Sequence, residues 1–317
     1  MATYTNIQGQ NILIVSSDPA NPTVGQMWYN TTSNTLKGYA DVGAWATGGS
    51  LTTARSFLGG AGIQTSALAF GGETGTVTNA TEEYDGTSWT AGGNLGTARY
   101  GLSGCGTQTT AAAFGGLSPG GGTSASTEEY NGTSWTAGGN LGTARYFLTG
   151  AGTQTTALAF GGESPAFLTE EYNGTSWTAG GTGVPSYRRG AAGAGTQTSA
   201  LSAGGGEPPT ATSFEYDGTS WTAGGTMLQA REFTAGAGTQ TSALVFGSRG
   251  PVAGKWTELY DGTSWTAGGS LATGRGALGG AGTQTSALGF GGETATAQTT
   301  ATEEFTSGNA TITLTTS

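Results

Sequence analysis

Short apolar stretches, each closed off by glycine, threonine or an Asx-Gly pair, recur along the chain in a fixed order. A run of small residues such as FLTGAG (147–152) leads into a TQT turn. ALAFGG (157–162) follows, then a loop of changing text, then TEEY (169–172). An Asn-Gly or Asp-Gly pair comes next, and SWTAGG (176–181) closes the unit. None of these stretches has the 3.6-residue period of a helix, and their length and turn-bounded ends predict strands. The Asn-Gly and Asp-Gly pairs accept positive φ at both residues and predict tight hairpins. The unit therefore has four strands.

The spacing is regular enough to fix the architecture. The tryptophans of GTSW stand at Trp89, Trp135, Trp177, Trp221 and Trp265, preceded by a degenerate copy at Trp45, so the steps are 44, 46, 42, 44 and 44 residues. The TQT glutamines stand at Gln64, Gln108, Gln154, Gln197, Gln240 and Gln284. From each tryptophan to the next glutamine the distance is 19 residues in five units and 20 in one, Trp177 to Gln197. Length variation is confined mostly to the other half of the unit. Four strands in about 44 residues make one blade of a β-propeller.

This reading accounts for the 62 glycines. Blades converge on an axis, so the innermost strand must be nearly bare backbone, as GLSGCG, FLTGAG and GAAGAG are. Cys105 fills the slot held elsewhere by Ala61, Ala151, Ala194, Ala237 and Ala281, and is expected to be a small buried filler. Phe70, Phe160 and Phe290, with the repeated tyrosines and tryptophans, are expected to pack the wider spaces between blades.

A di-glycine after an apolar strand, then Tyr, then Trp, then Arg about ten residues on, resembles the kelch repeat. The arginines are Arg55, Arg99, Arg145, Arg188 or Arg189, Arg231 and Arg275. The resemblance spans about residues 36–305 and implies an all-β, kelch-type propeller of four-stranded blades. Ala203 and Ser248 depart from it, standing where other units have Phe and Gly. Six copies of each strand exist if AWATGG, around Trp45, completes the last unit, which predicts six blades closed by an N-terminal strand. A seven-bladed count is the alternative, with 26–39 and ATITLTTS (310–317) supplying strands. The expected division is an N-terminal arm, 1–25, and a propeller, 26–317; within the arm, NILIVSS reads as a strand needing a partner outside the ring.

Charge and composition narrow the chemistry. The chain has no histidine and one cysteine, which excludes Ser-His-Asp and Cys-His catalysis, the common zinc sites and the copper chemistry of some kelch proteins. A net charge of −10 would repel a phosphate backbone, so nucleic acid is not an expected partner. No apolar run approaches the roughly 18 residues of a membrane span, so no membrane insertion is expected. No enzyme activity, cofactor or metal is expected. The repeated Arg55, Arg99, Arg145, Arg231 and Arg275 are expected to pair with TEEY glutamates such as Glu83, Glu129 and Glu171.

The chain ends carry a second resemblance. PTVGQMWYNTTSNTLKGY (22–39), AWATGG, TEEF and TLTTS are similar to structural proteins of tailed bacteriophages, especially marine ones. That resemblance implies a non-enzymatic virion protein, a tail-fibre or other appendage component located on the particle. It would bind other virion proteins through the N-terminal arm and present a face to a host-surface glycan or protein, with homo-oligomerisation left open. The alternative is a soluble, lectin-like carbohydrate-binding propeller. Recognition is placed on the face where the loops between second and third strands vary (ETGTVTNA, LSPGGGTSAS, ESPAFL, SRGPVAGKW), since loops carry binding on rigid frames. Tyr100, Tyr146, Phe167, Arg189, Lys255 and Trp256 are its candidate contacts.

Overall fold

The computed structural model describes residues 12–23, 25–163, 167–249 and 254–314, and these form two compact units, 45–306 and 1–44 with 307–317. In the larger unit the chain builds six four-stranded antiparallel sheets. The first blade is β5–β8 (Gly59–Ile63, Ser66–Phe70, Thr81–Tyr84, Trp89–Ala91). The next four are β9–β12 (103–137), β13–β16 (149–179), β17–β20 (192–223) and β21–β24 (235–267). The sixth takes β25–β27 (279–306) from the far end of the chain and β4 (Ala44–Thr47) from the near end. The first strand of every blade lies against the first strand of the next, and the sixth against the first, so the ring is closed.

The closing strand forms as expected. Trp45 packs its ring 4.7 Å from Phe246 and 5.3 Å from Phe305, and Gly48 and Leu51 donate to Thr302 and Thr300 at 2.9 Å each. Each inner strand presents Gly-Ala-Gly or Gly-Cys-Gly to the axis, leaving a narrow channel walled largely by backbone. Cys105 is buried, and burial alone raises its thiol pKa to about 12, which removes it as a nucleophile.

The repeat's marker residues hold neighbouring blades together. Gln108 Nε2 donates to the carbonyls of Ala67 (3.1 Å) and Tyr84 (2.6 Å) one blade back, and Gln64 reaches Ala287 and Phe305 across the chain closure. The Trp135 indole donates to Thr81 Oγ1 at 3.0 Å, and the Tyr130 hydroxyl to Glu83 at 2.5 Å. The glutamine and tryptophan contacts recur at all six junctions and the tyrosine contact at five, Phe305 having no hydroxyl to give, so the residues that mark the repeat in the sequence are the ones that join its blades.

The smaller unit holds the strands of the seven-blade count. β2 (Met27–Asn30) and β3 (Thr35–Asp41) form a hairpin, β28 (Asn309–Leu314) pairs antiparallel with β3, and β1 (Leu13–Val15) pairs parallel with β2. Among the described residues these four strands form a sheet in the order β1-β2-β3-β28. The strand in NILIVSS thus finds its partner in Trp28, Tyr29 and Asn30. Asp18 accepts from Lys37, Trp28 and Asn30, in that order of effect, and its pKa falls to about 2. Residues 1–11 and 24 of the expected arm, 164–166 and 250–253 of the variable loops, and 315–317 at the end of ATITLTTS lie outside the described residues.

Candidate functional site

The repeated arginines belong to the blade interior. Arg55, Arg99, Arg145 and Arg275 are fully buried and Arg231 nearly so. Each places Nη2 on a carboxylate: Arg55–Glu82 and Arg99–Glu128 at 2.9 Å, Arg145–Glu170 at 3.0 Å, Arg275–Glu303 at 3.1 Å, and Arg231–Glu258. The partner is therefore the first glutamate of TEEY, not Glu83, Glu129 or Glu171. Side chains alternate along a strand, so adjacent glutamates face opposite ways. The second one accepts the tyrosine hydroxyl of the next blade: Tyr130 on Glu83, Tyr172 on Glu129 and Tyr216 on Glu171. In the fourth blade the buried repeat arginine is Arg188, which leaves Arg189 for the surface.

The loops entering the first strand and those leaving the second share one face. Ser56 bridges Glu73, Tyr100 bridges Leu117, Tyr146 bridges Glu163, Glu232 bridges Arg249 and Gly276 bridges Glu293. At the centre of this face the residue two after each repeat arginine is left-handed: Phe57 (φ 53), Gly101 (61), Phe147 (51), Gly190 (60), Phe233 (51) and Ala277 (52). Backbone hydrogen bonds link these positions from blade to blade: Gly101 to Phe57, Phe147 to Gly101, Gly190 to Phe147, Thr234 to Gly190, Ala277 to Phe233 and Phe57 to Ala277. A phenylalanine in this conformation is strained by about 1–2 kcal/mol.

The three phenylalanines meet on the axis. Their ring centroids lie 5.2 Å (Phe57–Phe147), 5.3 Å (Phe57–Phe233) and 4.8 Å (Phe147–Phe233) apart. They cap an axial cavity of about 140 Å³ and form an aromatic floor for the face above it. Gly101 and Gly190 make room for them, since a Cβ at either would stand 2.7 Å from the ring of Phe147 or Phe233.

Polar and aromatic groups rim the floor. Tyr146 lies 5.0 Å from Phe147, and Tyr100 sits between Phe57 (6.2 Å) and Phe147 (6.3 Å). Arg189 is bound to Glu163, Glu207 and Glu232 and lies 5.3 Å from the Phe233 centroid. Arg249 pairs with Glu293 at 2.6 Å and lies over Phe57 (5.1 Å) and Phe233 (5.6 Å). Burial would raise the Glu163 pKa, but donation from Arg189, Tyr146 and Tyr187 brings it below the ordinary value. Hydrogen bonding to Glu163, with burial, lifts Tyr146 to about 12. Burial raises Glu232, partly offset by Arg189. Among the described residues no group of three or more His, Cys, Asp and Glu is placed to hold a metal ion.

Of the six candidate contacts, Tyr100, Tyr146 and Arg189 gather around this floor. Phe167, Lys255 and Trp256 do not. They are exposed at the entrance to the third strand of their blades, and among the described residues none has a ring or charge contact with the rim. The floor itself went unread in the sequence, as did Glu73, Glu163, Arg249 and Glu293. The available signal was the residue two after each arginine, which reads Phe, Gly, Phe, Gly, Phe, Ala around the ring.

Among solved structures, the chain is similar to that titled "Structure of YjhT", with a TM-score of 0.66 at 15% identity over 86% of this chain and 97% of that one. At this identity the likeness speaks for the propeller fold alone. No protein-family model matches the sequence, and no curated protein matches it. The structural match overturns the expectation of a virion appendage, because the protein whose architecture is shared is YjhT and not a phage tail component. The expected virion partners, attachment through the arm and location on a particle fall with it. The propeller of four-stranded blades stands.

Proposed function

We propose that this protein is a non-catalytic carbohydrate-binding propeller whose ligand seats on the aromatic floor. The observation that carries this reading is the convergence of Phe57, Phe147 and Phe233 with Tyr100 and Tyr146 inside a rim of carboxylates and guanidinium groups. Aromatic surfaces accept the C–H faces of a sugar ring, and the flanking polar groups suit its hydroxyls. Three left-handed phenylalanines on one small surface support it further, since backbone strain tends to concentrate at ligand-binding sites. The rim carboxylates Glu163, Glu232 and Glu293 are held by arginine, which suits fixed recognition rather than proton transfer.

A glycan array probed with the full chain tests the reading. Tyr100→Ala/Tyr146→Ala should weaken binding about tenfold or more, as expected for loss of central aromatic anchors, while leaving the melting temperature nearly unchanged. Loss caused instead by Phe167→Ala/Trp256→Ala would move the ligand to the outer loops. Conversion of a bound glycan, followed by mass spectrometry, would overturn the non-catalytic assignment.

A further inference from the structure

The charges around the floor are unequal, and the inequality bears on which sugars fit. Glu73, Glu163, Glu207, Glu232 and Glu293 supply five carboxylates, against the guanidinium groups of Arg189 and Arg249. Both guanidinium groups are already committed, Arg189 to three glutamates and Arg249 to Glu293. The other six arginines are sunk in the blades, and of the two lysines Lys37 is paired with Asp18 while Lys255 stands away from the floor. An acidic sugar would find no unclaimed cation here.

A cation would find a place. Glu73 has a half-buried side chain whose carboxylate makes no hydrogen bond or ion pair among the described residues, and its backbone is paired with Ser56, the neighbour of Phe57. The floor already receives positive charge, since two of the protein's own guanidinium groups lie over Phe57 and Phe233. The quadrupole of a phenyl face attracts such groups. Beside Phe147 no protein cation is present among the described residues, and Tyr100 and Tyr146 stand there instead. Thr234, which lines the axial cavity behind the rings, has a buried hydroxyl without a partner among the described residues.

We infer that the saccharide taken by this basin carries a free primary ammonium, as a deacetylated amino sugar does, with Glu73 as its counter-charge and the aromatic rings between Phe57 and Phe147 as its seat. The inference rests on the carbohydrate reading above and narrows it.

Calorimetric titration of the full chain at pH 6 and moderate salt separates the outcomes, with three probes: a β-1,4-linked glucosamine hexamer, its fully N-acetylated form and a galacturonic acid hexamer. The free-amine hexamer should bind about tenfold or more tighter than the acetylated one, and the uronate should not bind. Glu73→Gln should weaken the amine ligand about five- to tenfold and leave the acetylated one unchanged. Asp217→Asn removes the same charge from a turn between third and fourth strands, and should have no effect. Equal losses in Glu73→Gln and Asp217→Asn would mean general attraction to an acidic protein and would overturn the inference. Preference for the acetylated or acidic probe would overturn it while leaving the carbohydrate reading intact. Absence of binding to all three probes and to every glycan of the array would remove both.

Discussion

Five blades and the fourth solve the same problem in different ways. In the five, a buried arginine places Nη2 on a glutamate, and that glutamate's other oxygen accepts a loop N–H: Thr52 on Glu82, Gly96 on Glu128, Gly142 on Glu170, Leu228 on Glu258 and Ala272 on Glu303. In the fourth blade the glutamate is replaced by Phe214, and the loop position that would donate is Pro185, which has no N–H. Acceptor and donor are absent together, so neither is stranded. Arg188 instead donates to the carbonyls of Gly204 and Thr212 and to the hydroxyls of Thr210 and Thr212, with its guanidinium 4.6 Å from the Phe214 centroid.

The electrostatic consequence differs accordingly. Burial lowers the pKa of all six arginines, and in five a glutamate pushes it back. Nothing pushes back in the fourth, where Arg188 falls to about 10 and is still protonated at neutral pH. The lesson is that uncharged acceptors at the terminal nitrogens can stand in for an opposite charge; the Nε donor has no partner among the described residues in any of the six. Leaving half of a pair behind is the costly event.

The largest effect should come from creating such a half-pair. Glu128→Ala strands the Arg99 guanidinium and the Gly96 N–H, and should cost about 3–5 kcal/mol in chemical denaturation. Copying the fourth blade's solution, as Gly96→Pro/Glu128→Phe, should cost less than Glu128→Ala even though it changes two residues. Ser124 and Ser126 already place hydroxyls where Thr210 and Thr212 stand. A double variant as damaging as the alanine would show that the opposite charge itself is required.

The reverse exchange should give a smaller effect of opposite sign. Phe214→Glu/Pro185→Gly supplies Arg188 with a carboxylate and that carboxylate with a loop N–H, and should stabilise the protein by about 1–2 kcal/mol. Phe214→Glu alone should gain less, because one oxygen would lack its donor. A destabilised double variant would mean that Phe214 contributes more by packing than the missing pair could return.

The smallest difference between the fourth blade and the rest should lie in the tyrosine contacts, which it keeps. Tyr260 donates to Glu215 at 2.7 Å, as Tyr84 does to Glu304 at 2.6 Å. Burial, reinforced by these glutamates, raises Tyr84, Tyr130, Tyr172, Tyr216 and Tyr260 to about 12. A phenol with a raised pKa favours the folded state while neutral. That contribution is therefore complete below pH 10 and is lost as pH rises from about 10 to about 12. An absorbance titration should find all five ionising together near pH 12, with the melting temperature falling across the same interval. Early ionisation of Tyr260 would show that the altered blade loosens its neighbour.

Much of this architecture was legible because repetition supplies its own control. Trp45 could be assigned to the last blade because five intact GTSW copies showed what it was missing. The choice between Glu82 and Glu83 was harder: four of the six blades carry both glutamates, only TELY (257–260) keeps the first alone, and repetition does not say which face of a strand turns toward an arginine. Arg188 and Arg189 look ambiguous only when counted from Trp177, where the 20-residue unit shifts both; counted to the glutamine, nine residues separate each of the other five arginines from theirs, and Arg188 alone keeps that distance. The aromatic floor was hidden because Phe57, Phe147 and Phe233 are about 90 residues apart and meet only after the ring has closed. The virion reading came from the likeness of the chain ends and not from any side-chain chemistry.

The floor's pattern also bears on how many blades such a ring can hold. Bulky and small residues alternate at the left-handed position, and two of the three small ones give way to the phenylalanine of the following blade, Gly101 to Phe147 and Gly190 to Phe233. Alternation closes without a fault only on an even number. One repeat inserted or lost would set two phenylalanines, or two small residues, side by side, crowding the floor or opening a gap in it. A ring that keeps this floor can therefore gain or lose blades only in pairs, because parity is fixed at a single backbone position.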